Sequence, residues 1–153
     1  MKIVLVEDTW DQSDLIEEEL TELLARPEKP VIRTIATESE FTDRFEEIAA
    51  FRPDVIVIDL LLRWANPSRE SRPTPEGYEE DNGFYRAGLR CQKMVSDDAR
   101  TSAIPCIIYT VIDRNVVVPE GVTYLEKTET VEPLAREIHR LVSSTARSDG
   151  LAP

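Results

Sequence analysis

The chain has 153 residues, 41% of them apolar, with 30 acidic against 18 basic side chains and a net charge of −12. That length makes one domain, which buries roughly two-thirds of its unfolded surface and needs no staples. The acidity argues against direct contact with nucleic acid or an anionic membrane surface, two cysteines make no disulfide framework, and the single histidine, His139, excludes any site needing two imidazoles.

The first apolar run, Ile3-Val4-Leu5-Val6, stops at Glu7-Asp8. It is too short for a signal-peptide core or a membrane span, so a soluble, cytoplasmic protein is expected. Continuous β-branched runs of this kind read as strands buried on both faces of a parallel sheet. A helical stripe follows at Leu15, Ile16, Leu20, Leu23 and Leu24. Residues 7–22 carry eight acidic side chains and no basic one, which beyond Glu7 and Asp8 reads as a solvated helix face. Val31–Ala36 is a weaker strand, and Phe41, Phe45 and Ile48 mark a second helix. Val55–Ile58 is the second strong strand, ending on Asp59.

From Arg63 to Asn82 no apolar period appears, and Pro67, Pro73 and Pro75 sit among Ser, Arg and Glu. This predicts a long, polar, mobile loop, with Trp64 and Tyr78 as anchors onto the body or a partner. Phe84, Ala87, Cys91, Met94 and Val95 predict a third helix, and Ile104–Tyr109 a third strong strand. Only Val111 to Gly121 separates that run from a weak last strand, Gly121–Leu125, so the helix between them is short or irregular. Leu134, Ile138, Leu141 and Val142 mark the last helix. One domain over 1–143 and a flexible tail over 144–153 complete the expectation. Strand and helix alternating five times predict an open, doubly wound α/β fold on a five-stranded parallel sheet. Ligands of such folds bind beyond the C-terminal strand ends.

Those ends carry the chemistry. Glu7 and Asp8 follow the first strand, Asp59 follows Val55–Ile58, Thr110 follows Ile107-Ile108-Tyr109, and Lys127 follows Tyr124-Leu125-Glu126. Three carboxylates, a hydroxyl and an ammonium therefore share one sheet edge. Crowded carboxylates need a counter-ion, and oxygen-only ligands with room for water suit Mg²⁺. A lysine and a hydroxyl beside such a cation make a receptor for a phosphoryl group.

Here the sequence resembles the receiver domain of two-component response regulators. Val4-Leu5-Val6-Glu7-Asp8 resembles that family's acidic pair, and Arg52-Pro53-Asp54-Val55-Ile56-Val57-Ile58-Asp59 its phosphoacceptor strand. Ile107-Ile108-Tyr109-Thr110 is similar to the strand bearing the hydroxyl, and Leu125-Glu126-Lys127 to the strand bearing the lysine. The resemblance spans residues 2 to about 142. It implies a flavodoxin-like (βα)5 fold in which Asp59 attacks the phosphorus of a phosphohistidine on a sensor histidine kinase or phosphotransfer protein. Glu7, Asp8 and Asp59, with the backbone carbonyl of Leu61, would hold Mg²⁺. Thr110 and Lys127 would bind phosphoryl oxygens, and Tyr124 would be the aromatic switch read by a downstream protein partner. The chain would then be a stand-alone receiver, not an enzyme.

The sequence departs from that pattern at four places. Val111 stands where a small residue usually keeps the phosphoryl pocket open, and Thr128 where a cis-proline usually follows the lysine. The helix before the last strand is truncated, and the 63–82 loop is inserted before Gly83, which resembles the glycine that normally follows the phosphoacceptor more closely. Val111 and the inserted loop, by closing the pocket, sustain an alternative, a pseudo-receiver acting as a phosphorylation-independent binding module. A haloacid-dehalogenase-like phosphatase wants a second acid two residues after Asp59, where Leu61 stands. A dinucleotide-binding domain wants a glycine-rich turn after the first strand, and none is there. Cys91 and Cys106 read as buried small hydrophobes, His139 as a surface residue and Trp10 as packing.

Overall fold

A computed structural model of the protein describes residues 1–25, 27–67, 72–80, 82–111 and 117–149. In chain order the elements are β1 (Lys2–Val6), α1 (Trp10–Leu23), β2 (Val31–Ile35), α2 (Glu38–Asp43), α3 (Phe45–Phe51) and β3 (Val55–Ile58). A 3-10 turn (Gly83–Arg86), α4 (Ala87–Asp97), β4 (Cys106–Thr110), β5 (Thr123–Glu126) and α5 (Glu132–Asp149) follow. The strands form one sheet in the order β2-β1-β3-β4-β5, and every pairing is parallel. This is the doubly wound α/β fold that the alternation predicts.

The continuous apolar runs are explained by helices on both faces. Ile3, Leu5, Val55, Val57, Ile107 and Tyr109 pack with Ile16 and Leu20 of α1 and Leu134 and Ile138 of α5. Their neighbours Val4, Val6, Ile56, Ile58, Cys106 and Ile108 point the other way, onto Phe41, Ile48, Phe51, Ala87, Cys91 and Val95. Each fully buried side chain of this size stabilises the fold by about 1.5–3 kcal/mol. The weaker pattern of β2 has an equally simple cause, since it is an edge strand with Val31 and Arg33 exposed. The Pro53-Asp54 pair sets the start of β3. Arg52 ends α3 in the left-handed region (φ 51°), and Pro53 cannot continue a helix. Asp54 then accepts from the Lys2 backbone N–H through Oδ2 at 2.7 Å and donates its own N–H to the Lys2 carbonyl at 2.8 Å, which locks the β1–β3 register.

Several boundaries differ from the sequence reading. The stripe Phe41, Phe45, Ile48 is two short helices, because Arg44 (φ −99°, ψ 13°) leaves helical geometry between them. Phe84 belongs to the 3-10 turn before α4. Helix α5 continues to Asp149, so residues 144–149 are helical where a flexible tail is expected, and residues 150–153 lie outside the described residues. Of Val111 to Gly121, where a short or irregular helix is expected, residues 112–116 also lie outside them and 117–121 form no helix.

Helix α2 starts from a variant of the capping box whose return bond falls on Ala36 and not on the N-cap residue Thr37. Thr37 Oγ1 accepts from the Glu40 N–H at 3.2 Å, while Glu40 Oε2 reaches back to the Ala36 N–H at 2.9 Å. Thr37→Ala is expected to lower unfolding free energy by about 1 kcal/mol, read as a shifted urea midpoint with unchanged slope.

Candidate functional site

Glu7, Asp59, Thr110 and Lys127 each occupy the last rung of the parallel ladder or the position just after it. The Asp59 N–H donates to the Val6 carbonyl at 2.9 Å, the Glu7 N–H to Ile35 at 3.0 Å, and the Lys127 N–H to Thr110 at 2.8 Å. Parallel pairing thus delivers residues from four strands to one edge of the sheet. Glu7, Asp59 and Thr110 are buried there, at 2%, 6% and 0% exposure.

At the centre lies the Lys127 ammonium. Its Nζ is 2.6 Å from Asp59 Oδ2, 2.5 Å from Glu7 Oε2 and 3.0 Å from Gln12 Oε1. Only 9% of the Lys127 side chain is exposed. Burial raises the Glu7 pKa above the ordinary carboxylate value, against the opposing pull of Lys127. Burial alone would lower the lysine, but Asp59 and Glu7 outweigh it and the ammonium is held more firmly than usual. The other Asp59 oxygen, Oδ1, accepts from the Leu61 N–H at 3.1 Å, and Glu7 Oε1 from the Thr9 N–H at 3.1 Å.

Asp8 is the exception. It is turned towards Arg63, whose backbone N–H and Nε both donate to Asp8 Oδ2 at 3.0 Å. Asp8 thus faces Arg63, while Glu7 and Asp59 face Lys127. Among the described residues, no group of three His, Cys, Asp or Glu side chains stands close enough to hold a metal ion. Each acid has a cationic partner, Lys127 for Glu7 and Asp59, and Arg63 for Asp8. The donor chemistry nonetheless fits a hard divalent cation. The set is oxygen-only, and Glu7 and Asp59 already converge on one positive centre.

Tyr124 is half-buried, opposite Ile108, and packs against the layer that contains Val6, Ile58 and Ile108. Val111 is 58% exposed and lines a groove of about 260 Å³ with Gln12, Leu15, Tyr109 and Lys127. Trp10, expected to pack, is 78% exposed on the first turn of α1. His139 is exposed, and Cys91 and Cys106 are buried, where desolvation raises the Cys106 thiol to about 12 and the Cys91 thiol further. Neither is a nucleophile at neutral pH.

Two positions the sequence reading missed shape this edge. Gly88 opens α4 against the site: its N–H donates to the Leu60 carbonyl at 3.0 Å, and a Cβ there would lie 2.2 Å from the Asp59 carbonyl oxygen. An isolated glycine inside an apolar helical stripe is the signal that could have found it. The second is Arg63. Polar loop residues carry no periodicity, so nothing local marks it.

The described part of the 63–82 loop is anchored on the body. The Glu38 and Ser39 N–H groups donate to the Arg63 and Trp64 carbonyls at 3.0 and 2.8 Å. Trp64 Nε1 donates to the Pro73 carbonyl at 2.9 Å, and its ring meets the Tyr78 ring edge-on at 5.9 Å. Tyr78 is 8% exposed and lies under the Arg90 guanidinium, which forks onto buried Glu38 at 2.6 and 2.8 Å. Arg90 also donates to the Gly83 carbonyl at 2.6 Å. Gly83 (φ +40°) closes the loop, its N–H on the Tyr78 carbonyl at 2.7 Å.

No protein-family model matches the chain, and no curated protein matches it. Solved structures do. A sensor protein from Polaromonas sp. JS666 is similar over 94% of this chain and 96% of its own, with a TM-score of 0.64 and 17% identity. The signal receiver domain of a DNA binding response regulator protein (merR) from Colwellia psychrerythraea 34H covers 94% and 98%, with a TM-score of 0.61 and 17% identity. The Mn²⁺-bound form of response regulator Rcp1 covers 93% and 91%, with a TM-score of 0.57 and 16% identity. At such identities the likeness concerns the architecture: the chain has the fold of response regulator receiver domains.

No helix among the described residues is long and apolar enough to cross a membrane.

Proposed function

We propose that the protein is a cytoplasmic response regulator of two-component signalling that accepts a phosphoryl group on Asp59. The observation that carries this reading is the buried Lys127 ammonium within 2.6 Å of Asp59, at the strand-end edge where Thr110 also sits. An Asp59 oxygen attacks the phosphorus of a phosphohistidine on a sensor histidine kinase or phosphotransfer protein. The P–O bond forms as the P–N bond breaks, and the departing imidazole is protonated from solvent. Lys127 shifts with the transferred charge, leaving one carboxylate oxygen to bind a phosphoryl oxygen, and the Thr110 hydroxyl donates to another. Mg²⁺, held by Glu7, Asp8, Asp59 and the Leu61 carbonyl, would offset the remaining negative charge on those oxygens. Phosphorylation draws Thr110 inward, and Tyr124 follows into the space on its own layer of the sheet. A downstream protein partner reads that change, and nucleic acid and membrane take no direct part. On this reading the domain spans 1–143, with the 63–82 loop as its insertion.

The test is labelling by a small phosphodonor such as acetyl phosphate, read as an added phosphate mass on the intact protein. Labelling is expected with Mg²⁺ present, lost on chelation, and lost in Asp59→Asn. The pairing of Asp8 with Arg63 favours a second reading, a pseudo-receiver that binds partners without phosphoryl traffic. No added mass at saturating donor and Mg²⁺ would establish that second reading and sink the first.

A further inference from the structure

At the start of the inserted loop, one residue brings three donors to Asp8. The Arg63 backbone N–H and Nε each lie 3.0 Å from Asp8 Oδ2, and Nη2 lies 3.4 Å from the Asp8 carbonyl oxygen. The remaining carboxylate oxygen, Oδ1, accepts from Thr9 Oγ1 at 3.3 Å. The Asp8 side chain is 9% exposed, while Arg63 is 50% exposed. Asp8 is therefore satisfied by a guanidinium that can leave for water at little cost. The same residue is tied backwards into the body, since the Arg63 and Trp64 carbonyls cap the start of α2 through the Glu38 and Ser39 N–H groups.

We propose that Arg63 is a positioning residue that competes with a divalent cation for Asp8, so that cation binding displaces the guanidinium and loosens the Arg63–Trp64 segment. This rests on the cation-dependent reading above. Charge decides the direction. Glu7, Asp8 and Asp59 contribute three negative charges and Lys127 and Arg63 two positive ones, a net of −1. A divalent cation added with Arg63 in place would take the cluster to +1 and set two cationic centres against one carboxylate, that of Asp8. Like charges at that range repel, and the half-exposed partner is the one that yields. The buried Lys127 has no such exit, because 91% of its side chain is covered and two carboxylates face it.

The test is Mn²⁺ titration by calorimetry of the full chain as wild type, Arg63→Ala and Arg63→Lys. Arg63→Ala is expected to bind Mn²⁺ roughly threefold to tenfold more tightly, the range for losing one partly exposed, charge-assisted ion pair. Arg63→Lys keeps the charge but loses the fork, and should fall between. A gain of affinity is a readout that mere structural damage does not produce. Equal or weaker Mn²⁺ binding by Arg63→Ala, or by Arg63→Lys should the alanine variant fail to fold, overturns the competition while leaving the cation site standing. Absence of Mn²⁺ binding in every variant overturns both. In Trp10→Phe, Trp64 is the one remaining indole. Its emission should shift as Mg²⁺ is added and stay still when Arg63→Ala is combined with it. An unmoved emission in Trp10→Phe under saturating Mg²⁺ overturns the loosening.

Discussion

Replacing Gly88 with alanine is expected to destabilise the protein by about 3 kcal/mol, although alanine is the better helix former by about 1 kcal/mol. The two effects have opposite signs, so the measurement decides between them. The new Cβ would stand 2.2 Å from the Asp59 carbonyl oxygen and 2.7 Å from Leu60 Cα. Both neighbours are backbone at the end of a central strand, and neither has a rotamer to change. Either α4 lifts off the sheet, losing the Gly88 N–H bond to Leu60 at 3.0 Å, or the end of β3 moves and takes Asp59 with it. Urea unfolding followed by circular dichroism gives the value. A wild-type midpoint for Gly88→Ala would mean that α4 does not meet the strand end this closely.

Lys127→Met should cost about 3–4 kcal/mol, the second large effect. The methionine keeps most of the stem and the packing, so the loss is electrostatic. Glu7 and Asp59 would be left buried, 2% and 6% exposed, with no cation between them. Removing one partner of a buried ionic cluster costs several kcal/mol, because the remaining charge stays out of water. The cost should fall to about 1 kcal/mol when Glu7→Gln is already present, since one of the two repelling charges is then gone. The double-mutant cycle, run in chelator, measures that difference. Equal costs in the two backgrounds would count against Lys127 as the shared counter-ion of both carboxylates.

Much of this architecture is legible in the residues themselves. Val55–Ile58 is a strand because four consecutive β-branched residues suit a ribbon buried on both faces, and the structure gives the same bounds. The convergence of Glu7, Asp59, Thr110 and Lys127 follows from parallelism alone, because crossovers that return every strand in one direction bring all C-terminal ends to one edge. The break at Arg44 is harder to read, since the apolar period runs through it and only the backbone shows two helices. The extension of α5 past Val142 is hidden for a related reason. Residues 143–149 continue the helix in a run of small and polar types with no apolar stripe, and apolar periodicity cannot register that.

By itself, the sequence determines the class of fold, the two apolar layers and which polar residues stand at the functional edge. Each depends on local periodicity and on the direction of the strands. Only the tertiary structure decides which charges meet: Lys127 with Asp59 and Glu7, 68 and 120 residues away, and Arg63 with Asp8, 55 residues away. It also decides that Gly88, not the conspicuous Gly83, lies against the Asp59 backbone. Burial drives strands and helices together through non-directional forces that a short window can read. The pairing of ions and the close approach of two backbones depend on distances of an ångström or less, and those exist only once the chain has closed.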